Sequence, residues 1–103
     1  MKKLFISQPM EGKTDEEILA VREKAIASAK DKVDEDVEVI DSFIQNAPHD
    51  AKPLWLLGKA LELLATADIA YFAKGWEEAR GCRIENQCAL DYEIPMVIED
   101  YTK

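Results

Sequence analysis

The sequence predicts an α/β protein in which a small parallel sheet is covered by helices on both faces. Four short apolar segments alternate with three longer segments of helical periodicity, in the order βαβαβαβ. The first apolar segment, KLFIS, runs through Leu, Phe and Ile without a polar break, as expected for a strand buried on both faces. Helices between successive strands favour parallel strands that are joined by right-handed crossovers.

Length and charge limit the classes of protein to consider. The chain has 103 residues, and we expect residues 1–103 to form one small domain with one core. The formal net charge of −8 disfavours a nucleic-acid polymer or an anionic membrane as a partner, because both attract basic surfaces. The start MKKLFIS lacks a signal peptide's long apolar region, and no apolar run approaches the roughly 20 residues that span a bilayer. We therefore expect a cytoplasmic protein.

Cys82 and Cys88 are the only cysteines, and they lie six residues apart on one predicted helix. A disulfide cannot join them across regular helix, and two thiols with a single histidine make no standard zinc pattern. We therefore expect reduced thiols, no metal ion and no cofactor.

The first half of the chain contains two predicted strands and one helix. Residues 3–7 form the first strand. Thr14 and Glu17 match a capping box, so the first helix begins there and continues to about Lys32. Residues 37–40 form the second strand, whose outward glutamate indicates a position at an edge of the sheet.

The second helix follows a long loop, residues 41–52, and begins at Pro53, a residue that suits the first helical turn. Trp55, Leu56 and Leu57 make this helix apolar around more of its circumference than one core contact requires. We therefore expect a homo-oligomer, most simply a dimer, with these side chains in the interface.

The rest of the chain reads as strand, helix and strand. The third strand, DIAYFA, starts at Asp68, and the third helix extends to about Tyr92. Residues 95–98 form the last strand, and the polar tail from Glu99 onward is expected to be loose. The predicted strand order is 2-1-3-4, a small flavodoxin-like three-layer fold.

Ligands of such sheets bind outside the carboxyl ends of the strands, near the point where the strand order reverses. In the predicted order this point lies between the first and third strands, where the loops of residues 7–13 and 74–80 meet. Backbone amides in the first loop, with its serine hydroxyl, suit a phosphate or sugar hydroxyls, and Lys13 and Lys74 would offset part of the negative charge. The alternative is a plain turn shaped by proline and glycine.

Glu85 is the outstanding candidate for chemistry. An α-helix turns about 100° per residue, which puts Glu85 in the centre of a small apolar face of the third helix. The residues within about 60° of it are Gly81, Cys82, Cys88, Ala89 and Tyr92. An inward carboxylate is costly unless it is paired or used, so a catalytic group and a structural pair or loop cap both remain open. Arg80 and Arg83 fall on the far side and are expected to face solvent.

Trp76 follows Gly75 directly after the third strand. An aromatic ring at this position suits stacking on a base or a sugar. The equally weighted alternative is that the ring shields the top of the core.

Two segments, FISQPMEG and GWEEARGCRIENQCAL, resemble motifs of the nucleoside 2-deoxyribosyltransferase-like superfamily. The likeness is greatest to a small phage- and bacteria-associated group with a first strand ending YISGPMxG and a later segment GWxxSxGAxxE. It extends over nearly the whole chain. The resemblance implies the same flavodoxin-like fold, an enzyme that acts on the N-glycosidic bond of small nucleosides or nucleotides, and a site completed by a neighbouring subunit.

By resemblance, Glu85 is the nucleophile that attacks the anomeric carbon, in deoxyribosyl transfer or in hydrolysis. Together with the loops and the helical wheel, the resemblance suggests a substrate-binding set: Ser7, Gln8, Pro9, Met10, Gly12, Gly75, Trp76, Gly81 and Cys82. Ala60 stands where characterised members carry an aspartate that helps to handle the base. The alternative function is therefore a non-catalytic nucleotide- or nucleoside-binding or regulatory module on the same fold.

Overall fold

The computed structural model describes residues 1–9, 12–41 and 48–99. Met10, the centre of the long loop and the tail after Glu99 lie outside the described residues. The elements follow the predicted order: β1 Lys2–Ser7, α1 Asp15–Val33, β2 Val37–Val39, α2 Pro53–Leu64, β3 Ile69–Phe72, α3 Arg80–Asp91 and β4 Met96–Ile98. One turn of 3-10 helix, Trp76–Glu78, lies between β3 and α3. Within these ranges, no helix is long and apolar enough to cross a membrane.

The four strands form one parallel sheet in the order β2-β1-β3-β4, which confirms the predicted topology. In the register, Leu4 of β1 lies opposite Val39 on one side and Ile69 on the other. The second strand is at an edge, as predicted, and is one residue shorter than expected. Ile40 still donates its amide to the Leu4 carbonyl at 2.8 Å.

The alternation of side chains along the strands divides the core into two layers. Leu4, Ile69 and Tyr71 pack with α1 on one face of the sheet. Phe5 and Phe72, the neighbours of these residues in sequence, pack on the other face with residues of α2 and α3. Successive side chains of a strand point to opposite faces of the sheet, so an unbroken apolar run makes both faces apolar. Helices cover both faces.

The start of α1 shows the predicted capping box. Thr14 Oγ1 accepts a hydrogen bond from the Glu17 amide at 3.1 Å, and Glu17 Oε1 accepts one from the Thr14 amide at 3.1 Å. These two bonds satisfy donors that have no partner within the helix, so the first helix begins where the sequence predicts.

Two details of the prediction are wrong. Tyr92, expected on the inward face with Glu85, is 81% exposed because α3 ends at Asp91, one residue before it. Glu99 is not part of a loose tail: its Oε2 accepts hydrogen bonds from the Tyr71 hydroxyl at 3.1 Å and from the Lys74 amide at 2.9 Å. A salt bridge to Lys24 of α1 completes this anchor at the end of β4.

Candidate functional site

Glu85 lies in the second turn of α3 and faces the sheet, as the helical wheel predicts, with only 8% of its surface exposed. Its partner is Ser7, the last residue of β1, whose Oγ donates a hydrogen bond to Glu85 Oε1 at 2.7 Å. Ser7 is on the face of β1 that α3 covers, two residues after Phe5. The crossover topology therefore brings together two residues that are 78 positions apart in the chain.

Burial dominates the electrostatics of this pair. It raises the pKa of the Glu85 carboxyl above its ordinary value, and the Ser7 hydrogen bond opposes that effect. The neighbouring thiol of Cys82 also has a raised pKa, because burial and the Glu85 charge outweigh its hydrogen bond with Ser7. Among the described residues, no lysine or arginine forms an ion pair with Glu85. Within the described residues, Glu85 therefore does not form the structural ion pair that was one alternative in the sequence analysis.

Glu85 lines a cleft of about 730 Å³ between the starts of α2 and α3, which we call the α2–α3 cleft. The walls are mainly apolar, and Glu85 is the only acid among the described residues that line it. The lining comprises Lys52, Pro53, Leu54, Leu56, Leu57, Ala60, Arg80, Gly81, Ile84 and Glu85. A cleft with a few polar groups in an apolar wall is the usual form of a small-molecule site.

A second cleft, of about 570 Å³, lies on the other side of the sheet beside α1 and is called here the α1 cleft. It is lined by Gln8, Pro9, Lys13, Glu17, Ala20, Val21, Lys24, Ala73, Lys74, Gly75, Glu78 and Glu99. The loops after β1 and β3 do meet at the carboxyl edge of the sheet, as predicted. Most of the loop residues that line a cleft line the α1 cleft, whereas Arg80, at the end of the second loop, lines the α2–α3 cleft with Glu85.

The predicted substrate-binding set is thus divided between the two sides of the sheet. Gly81 accompanies Glu85, and Gln8, Pro9 and Gly75 line the α1 cleft. Ser7 and Cys82 are buried beside Glu85, with 2% and 6% of their surfaces exposed. The division arises because α1 covers one face of the sheet, whereas α2 and α3 cover the other.

The positions of the remaining candidates are explained by packing or by backbone conformation. Trp76 is half-buried, and its ring meets Phe72 edge-on with 5.9 Å between the ring centroids, so it covers the top of the core. Gly12 and Gly75 adopt left-handed backbone conformations, with φ of 77° and 93°. Glycine is favoured at such positions because it has no side chain. Met10 lies outside the described residues.

Arg80 is the residue whose position the helical wheel does not capture. It is exposed, as predicted, yet it lines the same cleft as Glu85. A wheel shows only the angle around the axis, whereas helical side chains lean toward the N-terminus. Arg80 is the first residue of α3, so its side chain extends beyond the helix start, where the angle decides little. The position of Arg80 at the start of a helix is the feature from which its place in the cleft could have been predicted.

The described residues contain no group of three histidine, cysteine, aspartate or glutamate side chains arranged to hold a metal ion. The chemistry open to the α2–α3 cleft therefore rests on one buried carboxylate, one hydroxyl and two cations at its rim. Comparisons with protein-family models, with curated proteins and with solved structures find no match for this chain.

Proposed function

We propose that the protein acts on the N-glycosidic bond of small nucleosides or nucleotides, with Glu85 as the nucleophile. The observation that carries the proposal is a nine-tenths buried carboxylate that lines a mainly apolar cleft and has a single hydroxyl partner. Burial of this kind is costly to a fold and is typical of groups that do chemistry. The sequence motifs around residues 5–12 and 75–90 support the same assignment by resemblance.

In the proposed reaction, Ser7 holds one oxygen of the carboxylate and leaves the other free. Glu85 Oε2 attacks the anomeric carbon, and the bond from that carbon to the base nitrogen breaks. The electron pair leaves with the base, which takes a proton from water. In the second step, water or another base attacks the anomeric carbon, its bond to Glu85 breaks, and the Glu85 carboxylate is released. The attacking group gives up its proton, which neutralises the hydroxide left by the first step. Water gives hydrolysis, and a second base gives transfer.

The surroundings suit this chemistry. Leu54, Leu57 and Ile84 line the cleft and provide an apolar surface for a flat base. The burial of Glu85 strengthens the attraction between the carboxylate and the positive charge that develops on the sugar. Ser7 acts as a positioning residue, because its hydroxyl orients Glu85 and is itself too buried to reach a ligand in the cleft.

The test is to incubate the protein with a panel of 2′-deoxynucleosides and their 5′-monophosphates and to measure free base and base exchange. We expect Glu85→Gln, which keeps the shape and the hydrogen bond from Ser7, to lower turnover by about a thousandfold or more. Glu78→Gln makes the same change in the α1 cleft and should leave turnover unaltered. Wild-type turnover in Glu85→Gln would exclude Glu85 as the nucleophile.

The second candidate is the binding module without catalysis. It is favoured by the absence of a second carboxyl group among the described residues of the α2–α3 cleft, since glycosidases ordinarily use two. Nucleoside or nucleotide binding with no release of base from any member of the panel would establish this alternative.

We further propose that the protein is a homodimer that associates through α2. Leu54 and Leu56 are 76% and 39% exposed, and both stand at the rim of the α2–α3 cleft. Apolar side chains this exposed on one helix suit a contact with a second subunit. A neighbour seated there would also narrow the opening above Glu85.

A further inference from the structure

Two cations share the rim of the α2–α3 cleft. Lys52 immediately precedes α2, Arg80 begins α3, and both side chains line the cleft whose wall contains Glu85. Neither forms an ion pair with any described residue. Their charges are therefore available to a ligand.

Both cations stand at the end of a helix that disfavours positive charge. Helix N-termini carry a partial positive charge, so acids are stabilising there and cations are not. The start of α1 follows this rule, with three acidic residues in its first turn and a capping box. The first turns of α2 and α3 contain no acid, and neither helix has a side-chain cap. The two helices that border the cleft thus differ from α1 in having no acid within their first turns.

A bound anion removes this conflict. An anionic group between Lys52 and Arg80 meets two charges and lies close to two helix starts. Arginine binds phosphate oxygens in a planar, two-pronged manner, and lysine adds a compact second charge. The cleft thus has three kinds of surface: two cations, an apolar wall and a carboxylate. A nucleoside monophosphate has the matching parts: a phosphate, a base and a sugar.

We propose that Lys52 and Arg80 determine specificity by binding the phosphate of the substrate, so that the cleft prefers a nucleoside 5′-monophosphate to the nucleoside. This inference rests on the proposed function, because it assumes that the sugar faces Glu85. It moves the phosphate away from the loop of residues 7–13. Lys13 and Lys74, the basic residues flanking the two predicted loops, line the α1 cleft on the opposite side of the sheet.

The test is calorimetry with 2′-deoxyadenosine and its 5′-monophosphate on three proteins: wild type, Lys52→Gln/Arg80→Gln and Lys13→Gln/Arg83→Gln. The last variant also removes one lysine and one arginine, but from positions that do not line the α2–α3 cleft. We expect wild type to bind the monophosphate about tenfold or more tightly than the nucleoside, as hydrogen bonds between charged groups commonly allow. That preference should disappear in the first variant and persist in the second, while nucleoside affinity stays the same in all three.

Thermal unfolding provides a readout that a structural role would not share. Because the two cations oppose the helix dipoles, Lys52→Gln/Arg80→Gln should have a midpoint equal to or above that of wild type. A monophosphate that does not bind, equal affinities of wild type for the two compounds, or a preference that survives in this variant would overturn the inference. So would loss of the preference in Lys13→Gln/Arg83→Gln.

The two proposals fail separately. Release of base by wild type with no change of preference in Lys52→Gln/Arg80→Gln rejects the phosphate site and leaves Glu85 catalysis standing. The expected pattern of affinities without any release of base supports the phosphate site and rejects catalysis.

Discussion

At the scale of single residues, burial determines how Glu85 affects stability. Its pKa in the folded protein is raised above the ordinary value of 4.5, so folding favours the protonated carboxyl. The contribution of this group to stability is therefore complete below pH 4.5 and is lost as the pH rises through the raised value.

We therefore expect Glu85→Gln, which resembles the protonated acid, to be more stable than wild type at pH 8, by about 0.5–2 kcal/mol. At pH 4 the two proteins should differ little. Urea unfolding of both proteins at the two pH values measures the difference. If wild type is the more stable protein at pH 8, the ionised carboxylate must be stabilised by more than its one hydrogen bond from Ser7.

Glu99 shows the opposite behaviour. Burial opposes its ionisation, but the hydrogen bonds from Lys24, the Lys74 amide and Tyr71 outweigh burial and hold its pKa below the ordinary value. Its contribution to stability is therefore present at neutral pH and is lost as the pH falls through the lowered value.

Glu99→Gln should destabilise the protein at pH 7 by about 1 kcal/mol, after allowance for solvent around Lys24. The amide group of glutamine would point a donor at one of the three existing donors. The effect should shrink in acid, and urea unfolding at pH 7 and pH 4 tests this. Glu62→Gln, which removes one partner of an exposed salt bridge to Lys59, is the control and should change stability by less than about 0.5 kcal/mol.

At the scale of elements, two glycines lie within helices whose packing does not require them. A side-chain carbon at Gly58 of α2 would meet no atom within 4 Å, and one at Gly81 of α3 would meet only Leu57 Cδ1 at 4.0 Å. Glycine lowers the stability of a helix interior relative to alanine because more backbone entropy is lost on folding.

Gly58→Ala should therefore raise the free energy of unfolding by about 0.5–1 kcal/mol. Gly81→Ala, near a helix start, should give a smaller gain in stability. It places a methyl group in the α2–α3 cleft beside Glu85 and should therefore weaken the binding of a monophosphate. Urea unfolding measures the first effect, and calorimetry with a monophosphate measures the second. A loss of affinity in Gly58→Ala equal to that in Gly81→Ala would contradict the assignment of the cleft.

At the scale of the whole molecule, the exposed face of α2 predicts self-association. Leu54 and Leu56 on this face should be covered in a dimer, so Leu54→Ser/Leu56→Ser should be monomeric. Sedimentation at micromolar concentration should give twice the chain mass of 11.6 kDa for wild type and the single mass for the variant. Leu19→Ser, which changes a 57% exposed leucine on α1, should leave the dimer intact. A monomeric wild type would reject the dimer.

The sequence by itself determined the element order, the strand order and the inward position of Glu85. These features depend on local periodicity: unbroken apolar runs mark strands covered on both faces, and a helical wheel locates a polar residue on an apolar face. The capping box at Thr14 is likewise set by neighbouring residues. The fold could therefore be predicted almost completely.

Only the tertiary structure decided which residues share a cleft with Glu85. Ser7 meets Glu85 because α3 covers the face of β1 on which Ser7 lies, and the crossovers, not the local pattern, assign helices to faces. The same assignment puts Gln8 and Pro9 in the α1 cleft. Arg80 reaches the α2–α3 cleft because side chains at a helix start extend past the helix, where angular position loses its meaning. Glu99 is held by partners from α1 and β3, which no local pattern could reveal.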